Sequence, residues 1–188
     1  HWRNAGRAGT NRFVALQGGY HGETAGALGV TDSALFRAAY APLVRLAATV
    51  ASPDARGAQA GESAADVAQR AAGALEAWLA EHHAETAAFI VEPLVQCAAG
   101  MAMHDPAYLR AARALCDRFG VHLVVDEIAV GFGRTGTLFA HQQAGIRPDF
   151  ICLSKGLTGG TLPLAAVLTT DAVFDGFYDD DAARGFLH

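Results

Sequence analysis

Apolar residues along this chain gather in two patterns. Short unbroken runs at residues 12–17, 86–91, 121–125, 150–153 and 162–168 read as buried strands, the first closed by Gly18-Gly19 and the last a further core strand. Between them stand segments with helical spacing. Residues 63–83 carry Val67, Ala71, Leu75 and Trp78 on one face, and Ser63 with Asp66 three residues on resembles a capping box. A second helix opens at Asp105 as N-cap with Pro106 in its first turn, buries Leu109, Ala112, Cys116 and Phe119, and stops at Gly120. Shorter helices are predicted near residues 33–40 and 138–144, and residues 51–61 form a loop rich in Gly, Ala and Pro.

Strands apolar on both faces that alternate with amphipathic helices predict an α/β fold with a largely parallel sheet. In such sheets ligands bind beyond the carboxyl ends of the strands. Three of the runs end in residues that can do chemistry: Glu92-Pro93, Asp126-Glu127 and Ser154-Lys155.

Composition removes several classes. A length of 188 residues allows one domain, two at most. Hydrophobic residues at 52% and charged residues at 18% exclude a disordered chain. No stretch approaches the ~20 unbroken apolar residues that span a bilayer, and the polar start lacks the apolar region of a secretory signal. A net charge of −5 argues against nucleic acid as a partner. Cys97, Cys116 and Cys152 lack CxxC spacing, which points to a reducing, cytoplasmic setting and to small buried residues rather than disulfides or zinc. No set of histidines has metal-ligand spacing; His21 reads as structural, and His82 and His83 suit a helix C-terminus. The chain starts at His1 and stops in mid-pattern at residues 185–188, so it reads as an internal piece of a longer polypeptide.

One residue stands out. Of the 14 basic residues 13 are arginine, and Lys155 is the only lysine. Arginine can replace lysine where only a positive charge is wanted, but not where an amine must lose a proton and attack carbon. A lysine just beyond a buried strand, beside Gly156, Gly159 and Gly160, is a candidate Schiff-base amine, because burial disfavours the ammonium form. A carboxylate at a neighbouring strand end could hold a protonated pyridine nitrogen, the pairing by which a protein uses pyridoxal phosphate as an electron sink. The plain alternative is a surface lysine and a helix-capping aspartate. A rival from another class is an NAD-binding domain, since residues 131–136 match the dinucleotide fingerprint G-x-G-x-x-G. That motif needs a strand running straight into the first glycine and a helix opening on the third. Residues 126–130 intervene here, which favours a shaped loop.

Taken in order, four segments resemble a class III pyridoxal-phosphate aminotransferase of fold type I. They are Gly19-Tyr20-His21-Gly22-Glu23-Thr24, Val91-Glu92-Pro93, Val125-Asp126-Glu127-Ile128 through Gly131-Phe132-Gly133-Arg134-Thr135-Gly136, and Leu153-Ser154-Lys155-Gly156-Leu157-Thr158-Gly159-Gly160. The resemblance implies a three-layer, mostly parallel sheet, with residues 1–188 as the central part of the cofactor-binding large domain and an N-terminal segment and a small C-terminal domain lying outside it. Lys155 would be the catalytic amine, joined to pyridoxal phosphate and moving the proton. Asp126 would pair with the pyridine nitrogen, Tyr20 and Ile128 would lie on opposite faces of the ring, and Glu92 would belong to the polar network around it. Tyr20, Lys155, Glu23 and Arg134 would meet the substrates, an amino donor and a keto acceptor. Glu23 stands where the family usually has aspartate, which bears on donor preference. The stretches Ile90-Val91-Glu92-Pro93-Leu94-Val95-Gln96 and Leu153–Thr170 most resemble the branch that passes an amino group from S-adenosylmethionine to 8-amino-7-oxononanoate, giving 7,8-diaminononanoate in biotin biosynthesis. Another ω-amino acid aminotransferase is the alternative. A homodimer sharing its sites is implied, as are a phosphate-binding turn before residue 1 and a phosphate-reaching threonine after His188. Without that anchor the chain alone is expected to be a poor catalyst, or a non-catalytic remnant.

Overall fold

The computed structural model describes residues 1–185; residues 186–188, the end of the pattern noted above, lie outside them. In chain order the elements are β1 (Arg12–Leu16), α1 (Ala25–Val30), α2 (Ala34–Arg37), β2 (Ala48–Val50), α3 (Ala64–His82), β3 (Thr86–Val91), β4 (Val95–Gln96), β5 (Ala102–Met103), α4 (Pro106–Phe119), β6 (His122–Asp126), β7 (Phe150–Leu153), β8 (Ala166–Thr169) and α5 (Asp171–Phe174). Short 3₁₀ turns include Ala140–Ala144 and Lys155–Leu157. Six strands form one sheet in the order β2-β1-β3-β6-β7-β8, and β4 with β5 forms a small separate hairpin.

All pairings within the large sheet are parallel except β7 with β8. The mostly parallel α/β expectation therefore holds. β8, however, is not a core strand: it is an antiparallel edge strand four residues long, with Val167 62% and Leu168 48% exposed. An apolar run marks a strand but carries no information about its position in the sheet.

The two long helices form as their local chemistry requires. Ser63 accepts from the Asp66 amide and the Asp66 carboxylate accepts from the Ser63 amide at 2.9 Å, which closes the capping box of α3. Asp105 caps α4 by accepting from Ala107 N at 2.7 Å, and Gly120 ends it at φ 63°, a left-handed conformation that glycine adopts without a Cβ clash. The two helices pack side by side on one face of the sheet. Leu75 and Leu79 from α3, and Leu109, Ala112 and Cys116 from α4, meet Val14, Leu16, Phe89, Val91, Leu123 and Val125 from the strands. Each fully buried Leu or Phe contributes roughly 2 kcal/mol of transfer free energy.

Alternate strand residues face the other way. There Phe13, Val124, Phe150, Cys152 and Val167 line a depression of about 280 Å³ beneath His1 and Trp2. Trp2 stacks on His122 with ring centres 4.3 Å apart and donates to Ala87 O at 2.9 Å. Asn4 ties these N-terminal turns to the segment after α5 through Gly176 O at 2.9 Å. This second covering is partial, and Phe13 remains 43% exposed.

Candidate active site

Strands β3, β6 and β7 are neighbours, so their carboxyl ends deliver Glu92, Asp126 and Lys155 to one place. These residues line a cavity of about 490 Å³ together with Tyr20, His21, Gly22, Phe36, Cys97, Ala98, Ile128 and Ala129. Tyr20 and His21 arrive on the turn after β1. Gly18 there has φ 70°, its amide donates to Asp32 at 2.9 Å, and a Cβ on Gly19 would stand 3.1 Å from Leu16 O.

Asp126 is the most tightly held of the group. His21 Nδ1 lies 2.7 Å from its Oδ2, with the two side chains only 3% and 5% exposed, and Ile128 N donates to its Oδ1 at 3.0 Å. The His21 backbone amide donates to Thr31 Oγ1 at 2.9 Å, and that hydroxyl donates on to Gly22 O. His21 Nε2 is buried and has no hydrogen-bond partner among the described residues. Truncating one member of such a buried pair strands the other, which costs far more than the intact pair contributes.

Glu92 is 5% exposed and joins three segments. Its carboxylate accepts from Tyr20 N at 3.1 Å and from Cys97 N at 3.2 Å, and its carbonyl lies 3.2 Å from His104 Nε2. Burial pushes its carboxyl above the usual range, against the two amides and nearby His21, which favour the charged form. Tyr20 donates its hydroxyl to Glu23 at 2.9 Å, and that bond, with some burial, raises the phenol above its ordinary value. The Tyr20 and Phe36 rings pack with centres 5.2 Å apart.

Lys155 departs from expectation. It stands exposed on its 3₁₀ turn rather than buried, because the described residues leave nearly all of the segment from Lys155 to Ala165 open to solvent. Arg134 does not line the cavity. It is exposed and borders an adjoining space of about 350 Å³, together with Lys155, Ile128, Phe132 and Gly156. Glu23 meets the cavity only through Tyr20. Asp126 and Glu127 diverge: Glu127 is fully buried, accepting from Ala140 N and His141 N at 2.9 Å and from His141 Nδ1 at 2.9 Å.

The glycine-rich stretch is a loop. Phe132 sits at φ 58°, Gly133 at 91° and Gly136 at 102°, and no helix opens on Gly136. The dinucleotide reading fails on that geometry, since the motif requires a helix N-terminus on its third glycine. A histidine partner for Asp126 was not foreseeable; the only sign was that His21 adjoins Tyr20 after β1. The two-residue strands β4 and β5, which carry Cys97 to the cavity, are too short to leave a pattern.

Comparison with known proteins gives the class. Residues 1–186 match the aminotransferase class-III family, and the chain belongs to it. It is 42% identical over 177 residues to the adenosylmethionine-8-amino-7-oxononanoate aminotransferase of Helicobacter pylori, covering 94% of this chain and 38% of that protein. To the protein of the same name from Aquifex aeolicus it is 39% identical over 194 residues, covering 100% of this chain and 42% of the relative. The chain thus spans about two fifths of the length of these relatives. A crystal structure of a thermostable omega transaminase 6-fold mutant from Pseudomonas jessenii superposes with a TM-score of 0.90 at 33% identity, covering 100% of this chain and 42% of that one. The omega transaminase from the same organism in complex with PMP gives 0.85 at 33% identity, over 93% and 39%.

Class III aminotransferases depend on pyridoxal phosphate, and the residues present here fit that group. A planar pyridine needs flat or branched walls, which Tyr20, Phe36 and Ile128 offer, an anion for its ring nitrogen, which Asp126 offers, and an amine for its aldehyde, which Lys155 offers. The buried, unpartnered His21 Nε2 behind Asp126 belongs to a polar site, not to an apolar core.

Proposed function

We propose that this chain is the central, cofactor-binding part of an aminotransferase that uses pyridoxal phosphate, as its sequence leads one to expect. The observation that carries this is the meeting of Lys155, Asp126 and Glu92, from the ends of three adjacent strands, around one cavity walled by Tyr20 and Ile128.

Bound there, pyridoxal phosphate would supply an electron sink for breaking the Cα–H bond of an amino donor. Lys155 would hold the group through its Nζ and, once released, would take up the proton that leaves the donor's Cα. Asp126 would keep a proton on the ring nitrogen, and His21 orients that carboxylate and offsets its burial. Ile128 and Tyr20, which line the cavity, would hold the ring from its two faces and keep water from them. Glu92 fixes the turn bearing Tyr20 by binding its amide. Glu23, which meets the cavity through Tyr20, and Arg134, which borders the adjoining space beside Lys155, would take part in recognising the amino donor and the keto acceptor.

Within the class, the reading best supported is transfer from S-adenosylmethionine to 8-amino-7-oxononanoate in biotin biosynthesis, the activity named for relatives near 40% identity. The cytoplasm is the setting that goes with it, and a homodimer completing the phosphate site is the assembly. Incubation with pyridoxal phosphate, borohydride reduction and peptide mapping test the site. The label is expected on Lys155, and a label confined to the N-terminal amine would overturn the reading. Donor preference is tested by comparing S-adenosylmethionine with ordinary amino acids in the full-length protein; indifference between them would remove the narrower assignment.

A further inference from the structure

We propose that Phe132 is a positioning residue whose ring, packed on Gly156, sets where Lys155 stands. The inference rests on the reading of Lys155 given above and extends it to how an exposed lysine is held in place.

Gly156 follows Lys155 on a one-turn 3₁₀ segment with little packed over it. The three atoms nearest to a Cβ there all belong to Phe132. A Cβ built on Gly156 would lie 2.5 Å from Phe132 Cδ2, 2.9 Å from Cγ and 3.0 Å from Cβ, closer than real carbons approach. The backbone of residue 156 therefore rests directly on the aromatic ring, and only glycine permits that. Phe132 adopts φ 58°, a conformation that costs a bulky L-residue energy and persists only where surroundings impose it.

Those surroundings form a continuous brace. The Phe132 ring meets Phe139 edge-on at 5.8 Å, and Phe139 stacks on His141 at 5.9 Å. His141 is held by the fully buried carboxylate of Glu127, next in the chain to Asp126. Gly131 N donates to Glu127 O at 2.8 Å, and Gly133 N to Leu138 O at 3.1 Å, which closes the loop on itself. A Cβ on Gly131 would come within 2.9 Å of Glu127 O, so the loop's start is also fixed by glycine. The brace links the carboxylate end of β6 to the amine at the end of β7. Beside the turn's own hydrogen bonds, such as Gly159 N to Lys155 O at 2.9 Å, it gives the Lys155 backbone a support from another segment.

The test uses the full-length protein reconstituted with pyridoxal phosphate and reads two quantities: the visible band titrated against cofactor, and the rate at which borohydride-trappable label forms on Lys155. Gly156→Ala is expected to slow labelling about tenfold or more, because a displacement near 1 Å at a reacting centre can cost about a hundredfold. Phe132→Ala is expected to slow it severalfold by removing the support. The double variant should label at close to the rate of Phe132→Ala alone, since the added methyl then meets no ring and only the 3.0 Å approach to the residue-132 Cβ remains; such non-additivity marks direct coupling. Circular dichroism checks that each variant is folded. Labelling by Gly156→Ala at the unaltered rate, or strictly additive losses, would overturn the proposal. If Gly156→Ala does not fold, Phe132→Ala and Phe132→Leu decide: a folded Phe132→Ala that labels like the parent overturns it, and a loss with Leu between Ala and Phe supports it. An unaltered chain that takes no label on Lys155 removes the reading of the site, and this one with it.

Discussion

Asp126 shows how much a single side chain depends on what stands behind it. Its Oδ2 is 2.7 Å from His21 and both groups are nearly sealed from water. His21→Leu should leave that carboxylate buried without its partner, at a cost of about 3 kcal/mol or more, read as a lower urea midpoint and weaker retention of pyridoxal phosphate. Asp126→Asn keeps the shape but removes the anion, and turnover of the full-length enzyme should fall about a hundredfold or more. Glu92 acts on geometry, not charge, since its two carboxylate oxygens each receive one amide. Glu92→Gln retains one acceptor and loses the other, so about 1–2 kcal/mol of stability should go, with cofactor affinity reduced before turnover is. A Glu92→Gln chain that binds cofactor as tightly as the parent would show that the Tyr20 turn holds itself.

At the scale of elements, caps decide where the helices stop. Gly120 is left-handed at the end of α4, where its amide bonds back to Asp117 O and Val121 N to Cys116 O. Gly120→Ala should cost about 1 kcal/mol from its φ alone, seen as a lower thermal midpoint. Ser63→Ala should cost about as much by opening the box on α3. These helices were legible in the sequence because capping is local: Ser63, Asp66, Asp105, Pro106 and Gly120 lie where the chemistry requires them. Strands β3 and β7 were legible for a related reason, since an apolar run flanked by polar residues has few other uses. β8 was misread because burial depends on neighbours outside the run. β2 was missed because Ala48–Val50 is too short to show a period. The site divided in the same way. Lys155, Asp126 and Glu92 were visible as strand ends, whereas the His21 contact and the exposure of Lys155 arise from segments distant in sequence.

Across the whole molecule, one ion-paired cluster ties the helical layer to the start of the sheet. Asp149 lies 2.8 Å from Arg113 Nη1 on α4, 2.7 Å from Leu123 N on β6 and 3.8 Å from His122 Nδ1. Burial alone would raise its carboxyl, but His122, the Leu123 amide and Arg113 outweigh burial and hold it well below the usual carboxylate range. A folded-state pKa below the unfolded one means the unfolded chain binds the extra proton. The stabilisation is therefore complete above pH ~4 and is lost progressively as pH falls below it. Asp149→Ala should lower stability by about 2 kcal/mol or more at pH 7. Its effect should shrink on going to pH 3, which urea titrations at the two pH values would check.

The strand that closes the sheet beyond β7 has a further consequence. Among the described residues β8 bonds to β7 on one side only, stands last in the strand order and leaves Val167 and Leu168 open to water. Such a border recruits strands from other molecules. Concentrated solutions of the chain should self-associate through this rim, and Val167→Lys should raise the concentration at which light scattering begins.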